Sequence, residues 1–256
     1  MRQYAFVCRP ADELVEIARV SPRGVSLDLE LAKEQWESYV DALNESGWET
    51  IELPHMAGQA AATFVETHAI SYDRLLIMTH TARAERLAER ICIAQAGAAR
   101  GLEVIWTPAD AHLDGGDVLK YGGTVWVGLS PNTDRAGAQV LTELLATYGV
   151  SVTTVTCPKV DYLKEAVTAL PDGTLIAAGG GLQMLQTCDR VLPAPEPTGA
   201  RVLLLGGNRL MLPASAPRTA TMLRERGFDV LTVDLSEFER FGAGPTSLSV
   251  RVRGDC

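Results

Sequence analysis

LLATYGVSVTTVTCP, residues 144–158, carries three signals in succession. Leu144 and Leu145 continue the three- and four-residue apolar steps begun at Val140 and Leu141, as on one face of a helix. Gly149 can take the left-handed conformation that ends a helix, and the residues after it alternate like a strand. The same order recurs in ALNESGWETIELP (42–54), AQAGAARGLEVIWTP (94–108) and LRERGFDVLTVDL (223–235), around Gly47, Gly101 and Gly227. Upstream of two of these helices stand hairpin signals, DVLKYGGTVWVGLS with Gly122 and Gly123, and RVLLLGGNRLMLPAS with Gly206, Gly207 and Asn208. The repeating unit is therefore strand, strand, helix, strand.

A weaker copy lies between Pro158 and Gly199, with a short helix near DYLKEAVTAL, a turn at Pro171 to Gly173, the strand TLIAAGG and a second strand around RVLP. About five units predict an α/β fold: a five-bladed α/β propeller of ββαβ repeats, one domain over residues 1–256, closed about an axial channel that every blade lines. A doubly wound sheet ranks second, because no GxGxxG comes after the first strand and hairpins interrupt the pattern. LPAPEPTG, 192–199, reads as a loop between blades.

With 256 residues and 46% hydrophobic content the chain can bury a large core. A net charge of −9, with no long basic run, argues against nucleic acid or anionic lipid as a partner and favours a small molecule, taken as the substrate, or a protein. A homodimer is kept open. No stretch has the length and apolarity of a membrane span, the N-terminal residues lack the apolar core of a secretory signal, and the five scattered cysteines form no CxxC pair. A cytoplasmic protein with reduced thiols is expected.

HLDGGDVL (112–119), FVE (64–66), GLSPNTDRAGA (128–138), DYLK (161–164) and AGPTSLSVRV (243–252) together resemble dimethylarginine dimethylaminohydrolase and its relatives in the arginine deiminase and amidinotransferase superfamily. LDGGD is the most specific of these motifs, and the resemblance runs from about residue 4 to residue 252. It implies the pentein fold, a five-bladed propeller of ββαβ units. It also implies action on C–N bonds of guanidino compounds through a cysteine nucleophile, a histidine acid/base and a carboxylate. Carried over, the carboxylate is Asp114, but the histidine position holds Tyr162 and the cysteine position holds Ser247. Glu66, which would face the guanidinium, is present; the acidic residue usually next to it is replaced by Thr67. Two arginines for a substrate carboxylate fall on His80 and Asn132, for which Arg9, Arg83 or Arg86 are alternative donors. Cys256 is a candidate displaced thiol.

These departures weaken the covalent route. A serine hydroxyl titrates far above a thiol, and a phenol with a reference pKa of about 10 is a poor base for it. If 64–68 and 112–114 are strands, residues two apart share a face, so His68 accompanies Glu66 and His112 accompanies Asp114. With His80 they would gather imidazoles and carboxylates suited to Zn²⁺ or non-haem Fe²⁺. The sequence-level expectation is thus a diverged dimethylargininase-like enzyme with a divalent metal on His68, His80, His112 and Asp114. Glu66, Thr67 and Asn132 would bind substrate, and Glu66, Asp114, Tyr162 and Ser247 are the catalytic candidates. The alternatives are metal-free acid/base hydrolysis or elimination at an amidine or imine, and a catalytically silent pentein that binds a ligand or partner. Isolated histidines on apolar segments are also ordinary core residues, and Asp117 is read as a structural acceptor.

Overall fold

The computed structural model describes residues 3–20, 26–157, 159–186 and 188–253. Its strands form five three-stranded sheets. The first blade combines β1 (Tyr4–Val7) and β2 (Glu49–Glu52) with the last strand of the chain, so the two ends of the sequence close the ring. The second holds β3 (Ala69–Tyr72), β4 (Leu75–Met78) and β5 (Glu103–Trp106), the third β6 (Val118–Tyr121), β7 (Thr124–Leu129) and β8 (Val152–Thr156). The fourth holds β9 (Val167–Ala169), β10 (Leu175–Ala177) and β11 (Val191–Pro193); the fifth holds β12 (Leu203–Gly206), β13 (Arg209–Pro213) and β14 (Asp229–Val233). β15 (Val250–Val252) pairs antiparallel with β1.

Each blade has the same pairing: an antiparallel inner strand, a middle strand, and a parallel outer strand reached through a helix. Gly47, Gly101, Gly149 and Gly227, read above as helix stops, all have positive φ, between 73° and 89°. The hairpin glycines Gly122 and Gly123 do as well. Helix Arg135–Ala146 starts where the Asp134 side chain accepts the Gly137 N–H, and helix Leu29–Glu45 where Asp28 accepts that of Leu31.

Middle strands explain the ring. Their residues are apolar at consecutive positions, the pattern of a strand covered on both faces. In β4, Leu75 and Ile77 enter the core shared with the third blade, while Leu76 and Met78 enter the core shared with the first. In β13, Leu210 and Leu212 pack toward the fourth blade and Met211 toward the first. Five buried clusters result, one between each neighbouring pair of blades.

Two segments differ from the sequence reading. Residues 64–68 are not a strand: Val65–His68 is a single 3₁₀ turn ahead of a β3–β4 hairpin, whose turn places Asp73 at φ 49°. In the fourth blade the helix is confined to Leu163–Ala166, and Val167–Ala169 turns extended to pair with β10. Here β-branched Val167 and Thr168, next to the Pro-Asp-Gly turn, prevail over the helical periodicity. Among the described residues no helix is long and apolar enough to cross a membrane.

Candidate active site

The five inner strands surround the axis, and the segments leading into them supply the walls of one cavity of about 790 Å³. Glu66 and Thr67 precede β3, Asp114 and Gly116 precede β6, and Tyr162, Lys164 and Glu165 precede β9; Arg201 precedes β12, and Thr246 and Ser247 precede β15. Loop residues around Gly58–Ala61, Arg83–Glu89 and Phe241–Gly244 complete it. Glu66, Thr67, Asp114, Tyr162 and Ser247, expected from sequence to share a site, all line it. Quasi-equivalent positions in five repeats converge because propeller symmetry points each lead-in at the axis.

Asp114 is 1% exposed. Its Oδ1 accepts the Gly116 N–H at 2.8 Å, and its Oδ2 is buried without a hydrogen-bond partner. Burial, and next the neighbouring Asp117 carboxylate, push its carboxyl up to about 7. The glycines of LDGGD have a steric cause: a Cβ on Gly115 would lie 2.0 Å from the Glu66 carbonyl oxygen, and one on Gly116 would press on the Tyr162 ring. The motif thus presses the lead-ins to β3, β6 and β9 together.

Asp117, fully buried, is the fastener of that junction. Its Oδ1 accepts the Leu163 N–H at 2.8 Å; its Oδ2 accepts the hydroxyls of Ser130 at 2.6 Å and Thr133 at 2.7 Å. Those hydroxyls themselves accept the Asn132 and Asp114 N–H groups, which fixes them as donors toward Asp117. An amide in either orientation sets a donor against a donor, so Asp117→Asn is expected to cost roughly 2–3 kcal/mol by urea denaturation. A loss below about 0.5 kcal/mol would contradict this network.

Glu66 Oε1 meets Lys164 Nζ at 2.5 Å and lies 4.0 Å from Arg251 Nη2. Behind Thr67, Arg86 is buried: it pairs with Glu89 at 2.7 Å, donates to Thr67 Oγ1 and holds the carbonyls of Ala61 and Phe64. Sequence reading offers Arg86 only as an alternative donor and passes over Glu89, Glu165 and Arg201. The signal for the last two is their position in the repeat, just ahead of an inner strand. Arg201 bonds Glu165 at 2.9 Å and the Ala243 carbonyl at 3.0 Å.

The histidines do not converge on the cavity. His68 is wholly buried and bonds Glu89 through Nε2 at 2.6 Å. Burial, and then the Arg86 guanidinium, lower its pKa to about 4. A neutral imidazole therefore donates to Glu89, and the contact is a hydrogen bond rather than an ion pair. Burial raises the Glu89 carboxyl, but its bonds to His68 and Arg86 outweigh this and the net is downward. His80 and His112 lie beside each other, with ring centroids 6.1 Å apart and the planes tilted by 38°. Arg90 lies 3.4 Å from His80 Nδ1, and His112 Nδ1 bonds the capping Asp134 at 3.0 Å. None of the three rings lines the cavity. Strand phase does not apply here, because 65–68 is a 3₁₀ turn and 112–114 lies outside any strand, so alternate residues do not share a face.

The proposed metal ligands therefore do not fit one ion. Among the described residues no three His, Cys, Asp or Glu side chains are grouped to hold a metal. Asn132 is likewise absent from the lining; its amide donates to the Asp161 carbonyl at 3.0 Å and steadies the loop that carries Tyr162. Arg83 and Arg86 reach the cavity, whereas Arg9 pairs with Glu37 and Glu52 on the exterior. The four described cysteines lie off the cavity, and Cys256 falls outside the described residues. Ser247 Oγ accepts the Gly244 N–H at 3.3 Å, and no imidazole or carboxylate bonds it among the described residues.

The chain is 40% identical over 249 residues to N(G),N(G)-dimethylarginine dimethylaminohydrolase of Streptomyces coelicolor, covering 97% of this chain and 96% of that one. It is 27% identical to the enzyme of that name from Pseudomonas aeruginosa, over 98% and 100% of the two chains. A solved structure of the Pseudomonas aeruginosa protein, a cysteine-to-serine mutant complexed with citrulline, superposes with TM-score 0.90 at 26% identity, over 98% of this chain and 99% of that one. No protein-family model matches the chain.

Proposed function

The chain belongs to the dimethylarginine dimethylaminohydrolase family, and we propose that it hydrolyses a C–N bond of a small guanidino or amidino compound without a covalent protein intermediate. The observation that carries this reading is Asp114: a buried carboxyl with a partnerless oxygen and a pKa near neutrality, on the wall of a cavity it shares with Glu66, Tyr162 and Ser247.

In this reading Glu66 faces the cationic nitrogen group. The positive charge of the substrate favours the ionised form of Asp114, which then takes a proton from water as it adds to the central carbon. The carbon–oxygen bond forms, the proton held by Asp114 passes to the departing amine as the carbon–nitrogen bond breaks, and the remaining hydroxyl proton of the former water then moves to that amine, so that an ammonium and a neutral ureido or amide product leave. Burial, and next the charge of Asp114, raise the Tyr162 phenol well above its ordinary value, so it stays protonated and donates a hydrogen bond to the reacting group. Ser247 contributes a small hydroxyl that leaves room for the water. No step is routed through a metal.

A second reading, ligand binding without turnover, is favoured by one observation: Asp114 is 1% exposed, which leaves the proposed base little contact with water. A single experiment separates the two. Amine or ammonia release is measured with a panel of guanidino and amidino compounds, alongside calorimetric binding and quenched intact-mass spectra. Turnover is expected with no mass added to the protein, and Glu66→Gln is expected to weaken binding by about tenfold or more. Saturable binding with no turnover moves the assignment to the second reading. An adduct on Ser247 overturns the non-covalent mechanism, and neither binding nor turnover across the panel overturns both.

A further inference from the structure

The ion pair between Glu66 and Lys164 separates the active-site cavity from a second one of about 760 Å³, and both residues, with Thr246, line the two. This second cavity is the axial channel itself. Its walls come from all five inner strands or the residues beside them: Ala69–Tyr72, Val118–Lys120, Thr168 and Ala169, Val202 and Leu204, and Val250 and Arg251.

Its charge is the reverse of the protein's. The chain has 23 Lys and Arg against 32 Asp and Glu, yet Lys120, Lys164, Arg251 and Arg253 stand around this cavity against only Glu66 and Asp73. Glu66 is already engaged by Lys164 and Arg251. Arg251 is held in place by the Ser249 hydroxyl and by the Thr246 and Ser249 carbonyls. The Lys120 ammonium makes no hydrogen bond or ion pair among the described residues; it lies 5.0 Å from the Tyr72 ring centroid, reached by solvent although protein surrounds it. Like charges gathered in a concave, partly desolvated space repel one another, and fixed cations of this kind lower the free energy of a bound anion. Consistent with this, burial first and then Arg253, Lys164 and Arg251 lower Lys120 to about 8.

We propose that the axial channel is a binding site for a small oxyanion, phosphate or carboxylate in its head group, held by Lys120 and Arg251 with Lys164 at its inner end. The apolar wall of Ile70, Leu119, Val202 and Leu204 accommodates an organic body on that anion. The site is distinct from the hydrolytic cavity and does not depend on the reaction assigned there.

The test is calorimetric titration of the full chain with inorganic phosphate and, separately, with citrate, ionic strength being held constant with sodium chloride. Thermal unfolding with the same anions gives a second readout. One-to-one saturable binding of at least one anion is expected, weakened about tenfold in Lys120→Met and unchanged in Lys159→Met, a surface lysine bonded to Gln183. The stronger ligand distinguishes a phosphate from a carboxylate head group. No saturable binding of either anion, or equal affinity in Lys120→Met and wild type, would overturn the proposal. Lys120→Met relieves repulsion and is expected to fold, so loss of binding will not report unfolding.

Discussion

Asp114→Asn is expected to stabilise the protein at pH 8 while abolishing turnover. The sign is set by the direction of the perturbation. In the unfolded chain the carboxyl titrates near its ordinary 3.8, and in the fold burial and Asp117 raise it to about 7. Between those values the folded state binds a proton that the unfolded state has released, so stability falls as pH rises through this window and levels off above it. At about 1.4 kcal/mol for each tenfold change in proton affinity, the ceiling on the cost at pH 8 is about 4 kcal/mol. Asparagine keeps an oxygen for the Gly116 N–H, but its amide faces the position where Oδ2 has no partner, which returns part of the gain. A net stabilisation of about 2 kcal/mol is expected, or roughly 5 °C in Tm for a chain of this size. At pH 4.5 the folded carboxyl is protonated while the unfolded one is still mostly ionised, so the wild-type cost has shrunk to about 1 kcal/mol; the amide's own penalty then outweighs it, and the variant should be less stable than wild type by about 1 kcal/mol. Urea denaturation at pH 4.5, 6 and 8 measures this; a stability difference that does not change with pH would refute the assignment of a raised pKa.

Asp114 can be placed from sequence, whereas the burial that raises its pKa cannot, and the same division runs through the molecule. The five repeats are readable because each carries local chemistry: a glycine at positive φ after an apolar helical stripe leaves the next residues little freedom. Asp114, Glu66, Tyr162 and Ser247 line one cavity because each stands just ahead of the inner strand of its repeat. The histidines are misplaced by sequence reading because alternation has meaning only inside a strand. A 3₁₀ turn at Val65–His68 turns Glu66 toward the axis and His68 toward Glu89, and nothing in its sequence, VETH, marks it as a turn rather than the start of the strand that follows. Asn132 is misjudged for another reason: its amide bonds a backbone carbonyl of the next blade, a contact with no local sequence signature. Where the chain obeys a local rule, function can be placed; where tertiary partners decide, it cannot.

Gly115→Ala carries the other large effect, and it tests how the blades are joined. The added methyl would sit 2.0 Å from the Glu66 carbonyl oxygen and 3.0 Å from that of Ala69, and both obstacles are backbone. Relief requires the 3₁₀ turn or the lead-in to β6 to move by about an ångström. Neither can do so alone: Thr79 donates its N–H to the His68 carbonyl, the Asp114 N–H donates to the Thr133 hydroxyl, and Asp117 holds Leu163. Loss of roughly 3–5 kcal/mol is expected, a large fraction of the about 5–15 kcal/mol that holds an ordinary domain together. Gly123→Ala provides the contrast. Its φ is 78°, but nothing lies within 4 Å of the new methyl, so it pays only the backbone cost of about 1–2 kcal/mol. Thermal unfolding of the two variants side by side distinguishes steric closure from backbone strain. Equal Tm values would mean that the third blade does not press on the turn carrying Glu66, and the placement of Glu66 opposite Lys164 would then need another cause.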